Sequence, residues 1–422
     1  MVLALEPTPK AYITLLIGIV FFIVGFTGIS PKYSYSMGLL LVTLTLSLRS
    51  LAEKYGEELR RVVARIDLGE RRVVENKVVE AVVRVEGGRG TGLLEVESSE
   101  RLSVEPSRPV VVNLVDDSIV FRVKTAIGRW SLGPVVLTVG DPLGFFQYRR
   151  VFSDKVWIYG YPSIVFESAP RSRLEVHGIE EVYSRLRRGS SIEFYEIREY
   201  IPGDDPRRVV WTATARTGKL MVRDDLAELR LKLFIILDLS LDMWIGPPGK
   251  SPGDYASRAA ASISYYASKR SSLLGYTIYR GGRWRISPTR YAREAYNYLY
   301  SEIASFNPLE DSMPRIRLDK AISESLEYAK YSTLVVLTGP SRDPNSFANS
   351  IKRVLAKFPG YSIVLVFPPD NGRGILGRAR SIAQATATVL SNELKGVNTS
   401  VYFVESIEVL QSVMKGVLRY GY

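Results

Sequence analysis

Residues 11–31, AYITLLIGIVFFIVGFTGISP, carry no charged side chain. About 20 apolar residues, rising about 1.5 Å each in a helix, cross a ~30 Å hydrocarbon layer. A second uncharged run, YSYSMGLLLVTLTLSL, fills 33–48 between Lys32 and Arg49. Flanking bases of this kind reach back to the headgroups. The first run is longer than the apolar core of a cleaved leader, and the second follows after a short turn. The pattern therefore predicts two membrane helices, about 11–31 and 33–51, within an anchor covering 1–53. Lys54, Arg60, Arg61 and Arg65 follow the second run, whereas the intervening turn has only Lys32. The excess of bases places both termini, and the bulk of the chain, in the cytoplasm of a two-pass cell-membrane protein.

The 422 residues suffice for two or three domains. There is no cysteine and one histidine, His177. Disulfides, thiol catalysis and multi-histidine metal sites are thereby excluded. The net charge of +12 suits an anionic partner, either a phospholipid surface or an acidic protein. No stacking-aromatic motif or basic helix supports nucleic acid. The lack of cysteine, with abundant Arg, Tyr and Glu, fits a thermophile.

From 54 to 165 apolar and polar residues alternate in VVEAVVRVEG, PVVVNLV, SIVFRVKT and PVVLTVGD, with Gly, Pro, Asn and Asp between them. Period two punctuated in this way predicts an antiparallel β-sandwich. Within GRWSLGPVVLTVGDPLGFF (128–146), LGP and DPLG read as turns, and Asp141 is placed for an Asx-turn. Phe145 and Phe146 are expected to plug the sandwich or its junction with the next domain.

From 231 to 422 strands alternate with helices, beginning with the continuously apolar LKLFIIL. Such a run marks a parallel strand buried on both faces, and the order predicts a doubly wound α/β sheet. Sites in these sheets lie at the carboxyl ends of strands, so loops 238–253, 339–344 and 368–377 should share one edge. GPPGKS (246–251) lacks the first glycine of a phosphate-cradling loop, having Trp244 there. GRGILG, with Gly372, Gly374 and Gly377, matches a dinucleotide pattern without the acid that should follow about 20 residues on. A nucleotide-binding enzyme using either loop is the alternative to a non-enzymatic interaction protein. In DLSLDM, Asp238, Ser240 and Asp242 alternate along what reads as one exposed turn, where three oxygens could hold a hard cation.

Between these domains, 166–230 holds REYIPGDDPRRVVWTATARTGKLMVRD. Pro202 and Gly203 suit a turn, and Asp204 and Asp205 can accept from Arg198, Arg207 or Arg216. Trp211 offers an apolar anchor. The segment reads as a charge-locked clasp between the β and α/β domains. With Tyr200 and Ala215 it also forms a signature that, followed by FIILDLSLDM and preceded by RWSLGPVVLTVGDPLGFF and two membrane helices, resembles the domain of unknown function 58 family. The resemblance implies a von Willebrand factor A-like C-terminal domain, Mg²⁺ in a metal-ion-dependent adhesion site, and a MoxR-type AAA+ ATPase as partner in assembling or maturing other proteins. That site has a D-x-S-x-S motif, a Thr from another loop and an Asp after a later strand. Asp238 and Ser240 match; Asp242 replaces the second Ser, the Thr region reads PRIRLDKAI, and Gly339 takes the later Asp position. The site is therefore expected to be degenerate.

Overall fold

The computed structural model describes residues 4–28, 30–164, 192–200, 206–227, 232–269, 272–314, 318–328, 333–339, 344–357, 362–367, 385, 388–394 and 399–403. The expected helix at 406–418, the loop 368–377 with its three glycines, and Pro202–Asp205 lie outside these residues.

Two helices long and apolar enough to cross a membrane open the chain: α1 (Pro9–Phe26) and α2 (Pro31–Arg61). They pack closely where Gly25 faces the Tyr35 ring and Gly38 faces Phe22, positions at which a Cβ would come within 2.8 Å of the ring. α1 stops before the expected residue 31 because the chain turns at Thr27–Gly28. α2 runs ten residues past the expected 51, because Leu48, Ala52, Gly56 and Leu59 keep one buried stripe going beyond the apolar run. A short strand not foreseen from sequence, β1 (Ala4–Pro7), precedes α1 and pairs antiparallel with β10 (Phe146–Phe152).

Two sheets follow. One is β2 (Val63–Leu68), β4 (Val78–Glu86), β8 (Asp116–Lys124) and β6 (Ser103–Glu105) in that order. The other joins β1, β10, β9 (Gly128–Gly140), β11 (Val156–Tyr161) and β3 (Arg72–Val74), with β5 (Thr91–Ser98) on β9 and β7 (Val110–Asn113) on β5. Inward residues of both, among them Ala81, Val83 and Phe121 from one and Leu94, Trp130 and Leu137 from the other, form a single core. LGP is not a turn. β9 runs straight through it, with Gly133 at φ +102° accommodating the irregularity.

β12 (Ile192–Glu199) and β13 (Met221–Ala227) make a separate hairpin whose connection holds the short helix α3 (Trp211–Thr217). The last sheet has the order β16 (Arg283–Tyr291), β15 (Leu273–Arg280), β14 (Lys232–Leu237), β17 (Thr333–Leu337), β18 (Ser362–Phe367), β19 (Thr399–Phe403). All pairs are parallel except β15–β16. Leu233, Ile235 and Leu237 face α4 (Pro252–Ser268) and α5 (Ala292–Ser305). Phe234 and Ile236 face α6 (Leu318–Tyr328) and α7 (Pro344–Lys357). Burial on both faces is why the β14 sequence is apolar throughout.

The β layers meet the α/β domain through buried charge, at residues other than the expected clasp. Arg258 on α4 forks onto Glu75, with Nε–Oε1 and Nη2–Oε2 both at 2.6 Å. Glu75 also accepts from Ser163 N and Oγ at 2.9 and 2.7 Å. Beside it, Arg101 lies 3.4 Å from both oxygens of Asp254. Burial, the largest single effect, would lower the Arg258 pKa, but the Glu75 hydrogen bonds and the charges of Glu75 and Asp254 together leave it raised. The backbone joins as well: Arg129 N donates to Phe306 O at 2.8 Å, and a Cβ on Gly128 would stand 2.6 Å from that oxygen, so only glycine fits. Glu75→Gln should cost about 3–5 kcal/mol in denaturant unfolding, because it strands a buried guanidinium. Pairing it with Arg258→Met should recover most of the loss.

Candidate functional site

The parallel strands, numbered in chain order, stand 2-1-3-4-5 across the sheet, so the winding reverses between β14 and β17. Ligands of such sheets bind at the carboxyl ends flanking this reversal. Asp238 and Thr338 are the residues that leave β14 and β17 there, joined by Asp238 N to Leu337 O at 2.9 Å. Loops 238–253 and 338–339 thus share the expected edge, while 340–343 lie outside the described residues.

Asp238 is fully buried. Its Oδ1 accepts from Ser240 N at 3.0 Å and its Oδ2 from Thr338 Oγ1 at 2.7 Å. Ser240 is buried too, so these two residues are not on an exposed turn. Asp242 is exposed, because Leu241–Trp244 coil into a 3₁₀ turn that sends Met243 and Trp244 inward and Asp242 outward. Met243 lies against Gly339, where a Cβ would come within 2.8 Å of the sulfur. Tyr279 borders the site; burial and then the Asp238 charge raise its hydroxyl pKa. It donates to Pro314 O at 2.5 Å.

A divalent Mg²⁺ seeks near-octahedral oxygen ligation. Among the described residues this edge offers one carboxylate that already accepts two internal hydrogen bonds, plus two buried hydroxyls, and no group of three or more acidic or histidine side chains placed for a metal. Among the described residues that set leaves the implied ion short of oxygen ligands. It works as a lock holding β14 to β17. Asp238→Ala removes the acceptor that Ser240 N and Thr338 Oγ1 share in the interior, at about 1–3 kcal/mol. Urea unfolding should register that loss, while Asp242→Ala stays within about 0.5 kcal/mol. Titration with Mg²⁺ should give no heat beyond dilution.

GPPGKS folds onto the interdomain charges. Ser251 caps α4 in a reciprocal box: Asp254 N donates to Ser251 Oγ at 3.3 Å, and Ser251 N donates to Asp254 Oδ2 at 3.0 Å. Gly249 O accepts from Arg258 at 2.7 Å. The helix start is thus occupied by its own carboxylate. Desolvation raises the Asp254 pKa despite Arg101, Ser251 and Arg258. A carboxyl with a raised folded-state pKa contributes stability below its unfolded pKa and loses it as pH rises through the folded value. The stability of wild type relative to Asp254→Asn should therefore fall as pH rises above about 4 in parallel unfolding titrations.

In the signature segment, Tyr200 N donates to Leu220 O at 2.8 Å, and Val210 N to Met221 O at 2.9 Å. Trp211, expected as an anchor, is 70% exposed. Arg207, Ala215 and Arg216 are also exposed, and Arg198 contributes through its backbone in β12. α3 is one short helix carried by β13, with no buried residue of its own, so among the described residues no core receives the indole. Sequence reasoning missed Glu75, Arg101, Asp254, Arg258 and Thr338. A signal for one of them exists: α4, DYASRAAASISYYAS, is small or apolar all round, and an arginine in such a helix needs a buried acid.

The profile of the family described as protein of unknown function DUF58 matches residues 196–358. Uncharacterized proteins of Mycobacterium tuberculosis and Mycobacterium bovis are 28% identical over 198 residues, which is 46% of this chain and 62% of theirs. The chain thus spans less than two thirds of these relatives' length. Among solved structures, the conserved hypothetical protein BatB from Bacteroides thetaiotaomicron shares 14% identity, covering 44% of this chain and 97% of that one, with a TM-score of 0.33. A family two carbohydrate esterase from Cellvibrio japonicus shares 9%, covering 85% and 97%, with a TM-score of 0.23. Both scores are too low to assign a fold. Over residues 196–358 the chain carries a DUF58-family sequence, as its signature implied.

Proposed function

We propose that this chain is a membrane-anchored, cytoplasm-facing interaction scaffold, non-enzymatic, with a von Willebrand factor A-like α/β domain that has lost metal dependence. The observation that carries the reading is Trp211. An indole 70% exposed lies at the centre of the family signature, on a hairpin that also carries exposed Arg207 and Arg216 and a Lys219 paired with Glu199. Tryptophan and arginine dominate protein-binding hot spots, and an exposed indole in a segment with exposed arginines suits a partner protein. The signature is thus a docking element, with a MoxR-type AAA+ ATPase as the proposed partner. The basic residues that follow the apolar run of α2, Lys54, Arg60, Arg61 and Arg65, support the cytoplasmic orientation.

Crosslinking in native membranes tests this. Wild type should recover an AAA+ ATPase, Trp211→Ala should reduce that recovery at least tenfold, and Asp242→Ala should leave it unchanged. Equal recovery with Trp211→Ala would overturn the docking role. The chain has no cysteine, so Lys320→Cys gives a single thiol, which membrane-impermeant maleimide should label only after the cells are opened.

A further inference from the structure

The turn Asp141–Phe146 lies where the anchor enters the β layers. Thr8, the residue before α1, holds it twice: Thr8 N donates to Phe145 O and Thr8 Oγ1 to Gly144 O, both at 2.8 Å. The Asp141 carboxylate fixes the turn from inside, accepting from Leu143 N at 2.9 Å, Phe145 N at 2.8 Å and Phe146 N at 2.6 Å. Phe146 does not plug the β core or the junction with the α/β domain. It is buried against Ala11, Leu48 and Ala52 of the two helices, with Phe145 packed on the same cluster. Leu143, at the tip, is 51% exposed. Lys10 Nζ is 3.9 Å from where a Cβ on Gly144 would stand.

The helix lengths say what meets that tip. The charge-free parts of the helices are residues 11–26 and 33–48. Each gives about 24 Å of rise, some 6 Å less than a typical hydrocarbon layer. A short span is met by thinning of the bilayer and by snorkelling of flanking bases. The hydrocarbon boundary is then drawn to the level of Lys10 and Arg49, where the turn is bolted on. Tyr12, exposed one turn into α1, stands at the same level, as interfacial aromatics do.

We infer that the 141–146 turn is a membrane seat: a preformed apolar tip, Leu143, that enters the acyl–headgroup boundary beside the Lys10 ammonium and fixes the tilt of the β layers on the bilayer. This rests on the membrane reading above and adds a contact outside the spanning helices. Because the turn is held by Asp141 before lipid arrives, insertion orders little.

The full chain in nanodiscs of phosphatidylcholine and phosphatidylglycerol tests it, since every introduced cysteine is unique. Leu143→Cys, Leu16→Cys in α1 and Lys320→Cys on α6 each carry an environment-sensitive fluorophore, quenched by lipids bearing nitroxides at shallow or deep positions. The seat predicts at least twofold quenching of the 143 probe by the shallow nitroxide, stronger quenching of the 16 probe by the deep one, and none at 320. Quenching at 16 without quenching at 143 would overturn the seat and leave the anchor standing. No quenching at 16 would overturn the spanning reading and the seat with it.

Discussion

The bidentate pair between Arg258 and Glu75 is the interaction on which the rest of the arrangement depends. The partners are 183 residues apart in sequence, one on the helix behind the parallel sheet and the other just after β3. Removing two charges from water is costly, and attraction in the interior offsets that only when geometry and remaining hydrogen bonds are nearly complete. Both conditions hold: the fork is short, Ser163 fills a remaining Glu75 position, and Gly249 O takes another arginine proton. The pair therefore orients two domains at once and fixes the 246–251 loop between them. An apolar contact of equal area could slide, whereas a buried guanidinium displaced from its acid has nowhere to go.

The same logic extends to the membrane side. Arg150 on β10 donates to Leu59 O and Val62 O at 2.5 and 2.7 Å, capping α2 where its carbonyls would otherwise lack partners. Burial lowers the Arg150 pKa from its ordinary value, and those carbonyls supply the acceptors that water would have given. Asp141 orders the turn beside α1, and β1 continues the β10 ladder in front of that helix. Anchor, β layers and parallel sheet are thus joined by interactions that each satisfy a buried polar group. The DUF58 signature hairpin differs in kind, since its α3 buries nothing.

How far the sequence announced this depends on the range of each interaction. The anchor helices, the alternating β strands and the doubly buried LKLFIIL were legible because periodicity and charge are local. The end of β14 was legible in the same way, with Asp238 and Ser240 directly after the apolar run. What failed is non-local. Whether Asp242 faces in or out depends on a 3₁₀ turn that buries Met243, and the partner of Asp238 is Thr338 on another strand. Charge density in sequence marks 198–216 as a clasp but says nothing about burial: Trp211 there is exposed, and Asp204 and Asp205 lie outside the described residues. The ions that join the domains are scattered singly at 75, 101, 254 and 258. LGP was read as a turn because Gly-Pro usually ends a strand, whereas here β9 pairs with β5 and β11 around it.

Buried ion pairs between Arg258 and Glu75 and between Arg101 and Asp254 make the β layers and the parallel sheet one body. Arg84 on β4 and Lys320 on α6 are exposed positions on the two parts. With spin labels on cysteines introduced at both, in the full chain in nanodiscs, pulsed electron resonance reads the distance between them. The account predicts one narrow distance distribution. Two or more separated populations would show domains that move independently, and would contradict it.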